Sequence, residues 1–331
     1  VIIALVENEM LKMLRRKRFR VVLLILAAIA ALAVFGRWKS EQRARLRSGA
    51  AVSGDWRART QHRIVELRNR LRRPEIPDGP KRWMRAESAR LQYSLDHGFD
   101  PEALNGPAFS RAFLAVSSYL LLPLLVTVFA SDLVSSELTE GTIKLLLTRP
   151  ARRWKILLAK VLALFSCVTL TVVLAGILSY AFAGIAFGWR GWGMPVLAGF
   201  RFRANAELDF SSVRQIPLWR DALRVYGLGW FSALAVSCLA LFLSVCLRTA
   251  AAMGTMIAAL VAGTILPRVA SDWDFSRFIF VTNLPLPDYY SGSPPPLPGM
   301  SLAFSTGNLA AWAAAALVAA FAVFLRRDVL G

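Results

Sequence analysis

Long apolar runs separated by short charged segments set the pattern of this chain. The runs fall at 19–36, 112–131, 156–187, 225–247, 249–267 and 302–325. Each is close to or above the roughly 20 residues that a helix needs to cross a bilayer's hydrocarbon core. They predict six transmembrane helices in one all-α polytopic membrane domain covering 1–331. Ahead of them, 1–14 places Ile2, Ile3, Val6, Met10, Met13 and Leu14 on one side of a helix, with Glu7, Asn8 and Lys12 mainly on the other. This predicts an amphipathic helix lying in the membrane interface, with a plain extension of the first span as the alternative. Between the first two runs, the extracytoplasmic insertion 37–107 spaces Leu46, Ile64, Leu67, Leu71, Leu91 and Leu95 through charged sequence at helix-like intervals. The Pro- and Gly-bearing stretch 74–80 divides it, predicting a helical hairpin with arms of roughly 35 and 15 residues.

Two further connectors have their own character. The segment 188–224 carries Trp189, Trp192 and Trp219 among arginines, which suits a membrane–water boundary. The segment 268–301 ends in a Pro-rich run at 291–299, which reads as a stiff extended connector. Within the fifth run, Ala250, Gly254, Ala258 and Ala262 recur every four residues, beside a parallel row of Ala251, Thr255, Ala259 and Gly263. Such small-residue stripes predict close helix packing, inside the chain or between subunits. Pro123 marks a kink in the second span.

Charge then orients the spans. The chain has 331 residues, 56% of them hydrophobic, with a net charge of +19 and a mean hydropathy of +0.48. An ordinary soluble domain does not combine these, and the charge lies in blocks between the apolar runs. Lys12, Arg15, Arg16, Lys17, Arg18 and Arg20 crowd the first span; Arg149, Arg152, Arg153 and Lys155 precede the third; Arg248 sits in the turn after the fourth; Arg326 and Arg327 close the last. The positive-inside rule puts these blocks, and both termini, on the cytoplasmic face of the inner membrane. The basic insertion 37–107 then lies outside, in conflict with a naive charge count, although loops beyond about 60 residues largely escape the rule. Phe35-Gly36-Arg37-Trp38 offers no small-residue cleavage site, so a retained anchor is expected rather than a signal peptide.

Reacting groups are few. His62 and His97 are the sole histidines, and Cys167, Cys238 and Cys246 lie in apolar runs without a CxxC pair. HExxH, GxSxG and the phosphate-binding GxxxxGK[ST] do not occur. No catalytic constellation, metal site or cofactor is therefore expected in this chain, and no nucleic-acid partner. The spans carry almost no interior Asp, Glu, Lys or Arg, which argues against a proton- or sodium-driven carrier.

The segment 133–150 remains, wedged between two spans. Glu137 and Glu140 stand early in a predicted helix, at its positive dipole end. Leu138, Ile143, Leu145, Leu146 and Leu147 supply an apolar side, and Pro150 stops the helix. Arg152 and Lys155 would anchor it at the headgroups, as Arg15, Arg16, Lys17 and Arg18 would anchor the first span. By pattern alone it is a rigid surface connector. Glu137…Glu140-Gly141-Thr142…Leu145-Leu146…Pro150…Arg153…Lys160 resembles the segment between the second and third spans of ABC type-2 transporter permeases. The likeness extends to the interfacial N-terminal helix, the Ser244…Arg248 turn and the closing Arg326-Arg327-Asp328. In that family the segment includes the coupling helix that docks on the ATP-binding subunit. The resemblance implies an exporter of a hydrophobic or amphipathic substrate, built from two permease subunits (a homo- or heterodimer) in the lipid bilayer and two ATP-binding subunits that hold ATP and Mg. It assigns ATPase coupling to Glu137, Glu140, Gly141, Thr142, Leu145, Leu146, Pro150 and Arg153. A non-transporting membrane scaffold, or a membrane-embedded enzyme with polar groups inside its spans, are the alternatives.

Overall fold

A computed structural model of the chain describes residues 2–52, 55–100, 103–139, 152–202, 208–269, 273–297 and 299–326. It is an almost wholly helical membrane protein. Helix α1 (Ile2–Arg15) is followed directly by α2 (Lys17–Val52). The insertion forms α3 (Trp56–Leu71) and α4 (Asp78–Asp96). The apolar part continues with α5 (Gly106–Ser117), α6 (Leu121–Ala130), the short α7 (Ser135–Thr139) and α8 (Arg153–Phe187). After four short strands come α9 (Leu218–Cys246), α10 (Thr249–Val269), the single turn α11 (Asp288–Ser291) and α12 (Leu302–Arg326).

Among the described residues, four helices are long and apolar enough to cross a membrane: Lys17–Arg43, Arg153–Phe187, Leu218–Cys246 and Leu302–Arg326. Their burial ranks them. Helix α9 is two-thirds buried along its apolar window and α8 half buried, whereas α2 and α12 are mostly exposed. The outer pair nevertheless shows an inward stripe at four-residue spacing, Val22, Leu26, Ala30 and Val34 on α2. Leu24, Leu32 and Phe35 project outward from the same helix. An apolar outward face on a peripheral helix is what lipid contact requires.

The second predicted span is not straight. Gly106–Ser117 and Leu121–Glu137 are long and apolar enough for a span only when taken together, and they are bent by 61°. The break lies one turn before Pro123, whose ring cannot follow a helical carbonyl four residues back. The bent pair still runs from end to end against α8: the Gly106 amide donates to Gly188 O at 2.9 Å at one end, and Glu137 meets Lys160 at the other. One turn in from the Gly106 end, Ser110 Oγ donates to Gly176 O at 3.2 Å and lies 2.8 Å from Ser179 Oγ and 2.5 Å from the Tyr226 hydroxyl. Gly176 is required there, because a Cβ would come within 2.4 Å of the Tyr226 ring.

The connectors depart further from expectation. The first arm of the insertion is not separate, since α2 runs unbroken to Val52. Instead α3 and α4 form the hairpin, closed around Ile64, Leu67 and Leu91. The segment 188–224 is more than an aromatic belt: β1 (Pro195–Ala198) pairs antiparallel with β4 (Arg214–Pro217), and β2 (Arg201–Phe202) with β3 (Leu208–Asp209). The connector before α12 folds into the bundle, with Val281, Leu284 and Leu286 buried and Leu284 O accepting from Ser232 Oγ at 3.0 Å. The small-residue stripe Ala250, Gly254, Ala258 and Ala262 faces outward, and a Cβ on Gly254 would meet nothing. Packing within the chain falls instead to Ala252, Met256 and Leu260, which are buried, and to Gly263, which lies against Val281.

Candidate functional site

The most unusual chemistry lies where α1, the end of the bent span and the start of α8 converge. Amphipathic α1 does bury an apolar edge through Met13, but the same edge carries Glu9, which is 5% exposed. Lys160, two turns into α8, is 1% exposed, and so is Glu137 on α7. The Lys160 ammonium donates to Glu9 Oε2 at 2.7 Å and to Leu133 O at 3.3 Å, and it pairs with Glu137 Oε1 at 2.8 Å. An ammonium has three N–H donors, and all three find acceptors. Lys12 closes the group from α1 with a second ion pair to Glu137.

A third carboxylate lies about one turn before Glu137. Asp132, in the turn between α6 and α7, is paired with Arg16 and with Arg18, the latter at 2.7 Å. Arg16 also donates to Ser136 Oγ at 3.1 Å. On the opposite side, Ser244 Oγ accepts from the amides of Val134 and Ser135, both at 3.0 Å. Thr249 Oγ1 lies 2.7 Å from Ser135 Oγ. The end of the bent span is thus fastened to α1, to α8 and to the turn between α9 and α10. Three buried carboxylates meeting four cations leave this corner close to neutral, which is how buried charge is tolerated.

A family model described as "Protein of unknown function (DUF2705)" matches residues 82–330. The chain belongs to that family. The match takes in Asp132, Glu137 and Lys160 of this DUF2705 chain, whereas α1 precedes it. The chain is also similar to the uncharacterized protein YhcI of Bacillus subtilis (strain 168), 27% identical over 85% of this chain and 87% of the relative. A second relative from the same organism, the uncharacterized membrane protein YdbK, is 26% identical over 63% of this chain and 78% of its own length.

The residues singled out in the sequence take the following places in the structure. Glu137 is buried, and its carboxylate pairs with Lys12 and Lys160. Arg16 and Arg18 pair with Asp132, and Arg18 is exposed along with Arg15 and Lys17. Arg152 is exposed just ahead of α8, Arg153 opens that helix, and Lys155 lies over the Trp154 ring at 5.7 Å. Glu140, Gly141, Thr142, Leu145, Leu146 and Pro150 lie outside the described residues. The spans are also less free of charge than their composition suggests, since Lys160 is buried and Arg111 pairs with Asp221 at 2.7 Å. The signal for the cluster was present as two isolated charges on otherwise apolar faces, Glu9 among Val6, Met10 and Met13, and Lys160 within 156–187.

Proposed function

We propose that this protein is the permease subunit of an ATP-driven ABC type-2 exporter, with a hydrophobic or amphipathic cargo. The observation that carries the reading is the ion cluster on either side of 140–151. Glu137 precedes that stretch, Lys160 follows it, and the two are paired in the bundle together with Glu9 of α1. A push on the intervening segment would reach the bent span, α8 and α1 as one unit. Docking then falls to Glu140, Gly141 and Thr142 in the family-like segment, with Glu137 as its internal anchor. Two ATP-binding subunits would hold ATP and Mg, and a second permease subunit would complete the assembly. Both termini would be cytoplasmic in the inner membrane.

The test is purification of the full chain, expressed with its neighbouring genes, in mild detergent. The expected result is a stoichiometric soluble subunit carrying GxxxxGK[ST] and an ATP hydrolysis rate that changes when the two are reconstituted together. Lys substitutions at Glu140 should uncouple hydrolysis from transport while leaving the bundle folded. A chain that purifies without any nucleotide-binding subunit, and whose neighbouring genes encode none, would overturn the reading.

A further inference from the structure

Between α10 and α12 the chain makes two tight helical turns, Asp274–Phe278 and Phe280–Asn283, and both helices fix their depth. Phe278 O accepts from Asn308 Nδ2 at 2.9 Å and from Trp312 Nε1 at 2.8 Å. With Arg326 at one headgroup layer, Asn308 lies roughly 27 Å and Trp312 roughly 21 Å along α12 at 1.5 Å per residue. Both levels fall inside a hydrocarbon core of about 30 Å. On the other side, Val281 packs against Gly263 of α10, roughly 9 Å short of that helix's end at Val269 at 1.5 Å per residue. A loop running over the membrane surface would reach neither contact.

The outward side of these turns is apolar, with Trp273 65% and Phe275 69% exposed. Phe278, set edge-on to Phe304 at 5.6 Å, is exposed as well, and so is Trp312 beside it on α12. The main-chain carbonyls are nonetheless occupied. Asn283 Nδ2 donates to Arg277 O at 2.8 Å and to Ile279 O at 2.9 Å, and Ser276 Oγ donates to Trp273 O at 2.6 Å. Together with Phe278 O, four carbonyls of an irregular stretch are held by side-chain donors. Water would satisfy them on a surface loop. Lipid cannot, so irregular backbone at membrane depth needs donors from the protein. The acceptors left open here, Thr282 Oγ1 and Asn283 Oδ1, are buried in the bundle and not on the outward side.

We infer that residues 273–278 form a re-entrant lipid-contact surface, which dips into the bilayer half away from Arg326 and sets Trp273, Phe275 and Phe278 among acyl chains. Lipid, rather than a protein partner, is the occupant because the patch lies at the depth of the α12 span and adjoins its exposed side. Arg277 lies over the Phe278 ring at 5.3 Å, and its long stem carries the charge toward the headgroups. The inference is independent of whether ATP drives the protein.

Depth-dependent fluorescence quenching tests it in the full chain carrying Cys246→Ser, the other two native thiols being buried, in phosphatidylcholine vesicles. Bimane on Phe275→Cys should be quenched by 5-doxyl phosphatidylcholine about three-fold more strongly than bimane on Arg72→Cys of the α3–α4 hairpin, as a site within the hydrocarbon requires. Aqueous iodide should give the reverse order. Should Phe275→Cys fail to fold, Trp273→Cys serves the same purpose. Iodide quenching at the turn as strong as at Arg72→Cys would place the patch in water, open to a protein partner, and overturn the inference. Equal quenching of the two sites by the doxyl lipid would overturn it as well.

Discussion

Lys160 concentrates the energetic argument at the scale of a single residue. A primary ammonium at 1% exposure survives in a bundle core only because Glu9, Glu137 and a backbone carbonyl surround it. Removing one member of a buried ion group strands the others, and such a loss costs about 3–5 kcal/mol. Lys160→Met should therefore lower the thermal midpoint of the detergent-solubilised protein sharply. Adding Glu9→Gln should recover much of the loss, because Glu137 keeps its pair with Lys12. The two changes should be strongly non-additive, as expected for groups in one network. An unchanged midpoint in Lys160→Met would mean that the group is solvated in the membrane.

Between elements, close approach matters more than charge. The bent span can lie along α8 because Gly176 leaves room for the Tyr226 ring, whose hydroxyl meets Ser110 and stands near Ser179. Gly176→Ala should destabilise the protein by about 1–3 kcal/mol through overpacking, and Tyr226→Leu in the same chain should relieve part of that, as read by thermal unfolding. The long apolar runs were legible as helices because twenty apolar residues leave little else for the backbone to do in lipid. The third and sixth runs, 156–187 and 302–325, lie within the helices Arg153–Phe187 and Leu302–Arg326. The break at Ser118–Leu120 was not legible, because Pro123 announces a kink without saying which upstream turn opens. Nor was the burial of Glu137. Its neighbours in sequence describe a surface helix, and its partners lie 125 residues upstream at Lys12 and beyond an unresolved choice of register on α8. The four short strands at 195–217 were hidden by length, since strands of two to four residues carry no usable alternation.

For the whole molecule, the question is how a chain of net charge +19 distributes itself across a bilayer. Helix α2 carries 36 residues, roughly 54 Å at 1.5 Å per residue, well beyond the about 30 Å hydrocarbon core. If it crosses, its two ends stand on opposite sides, with the α1 ion cluster at one and the α3–α4 hairpin at the other. The hairpin's basic excess is partly met within the structure: Arg59 pairs with Glu41, Arg63 with Glu87, and Arg70 with Glu66. The hydrogen bond from Arg63 holds the Glu66 carboxyl below its usual range, with Arg70 adding to the effect. A basic segment already engaged in ion pairs presents less free charge to the orienting rule than its composition implies. The free blocks, Arg15 and Lys17 beside the cluster and Arg152 ahead of α8, then decide the orientation. Single cysteines test this in a chain whose Cys246 is replaced by Ser, the other two native thiols being buried. Arg72→Cys on the hairpin should react with a membrane-impermeant maleimide in intact cells, and Lys17→Cys only after permeabilisation. The reverse pattern would invert the protein and put the segment resembling a coupling helix out of reach of cytoplasmic ATP. Labelling of both from one side would contradict the crossing of α2 itself.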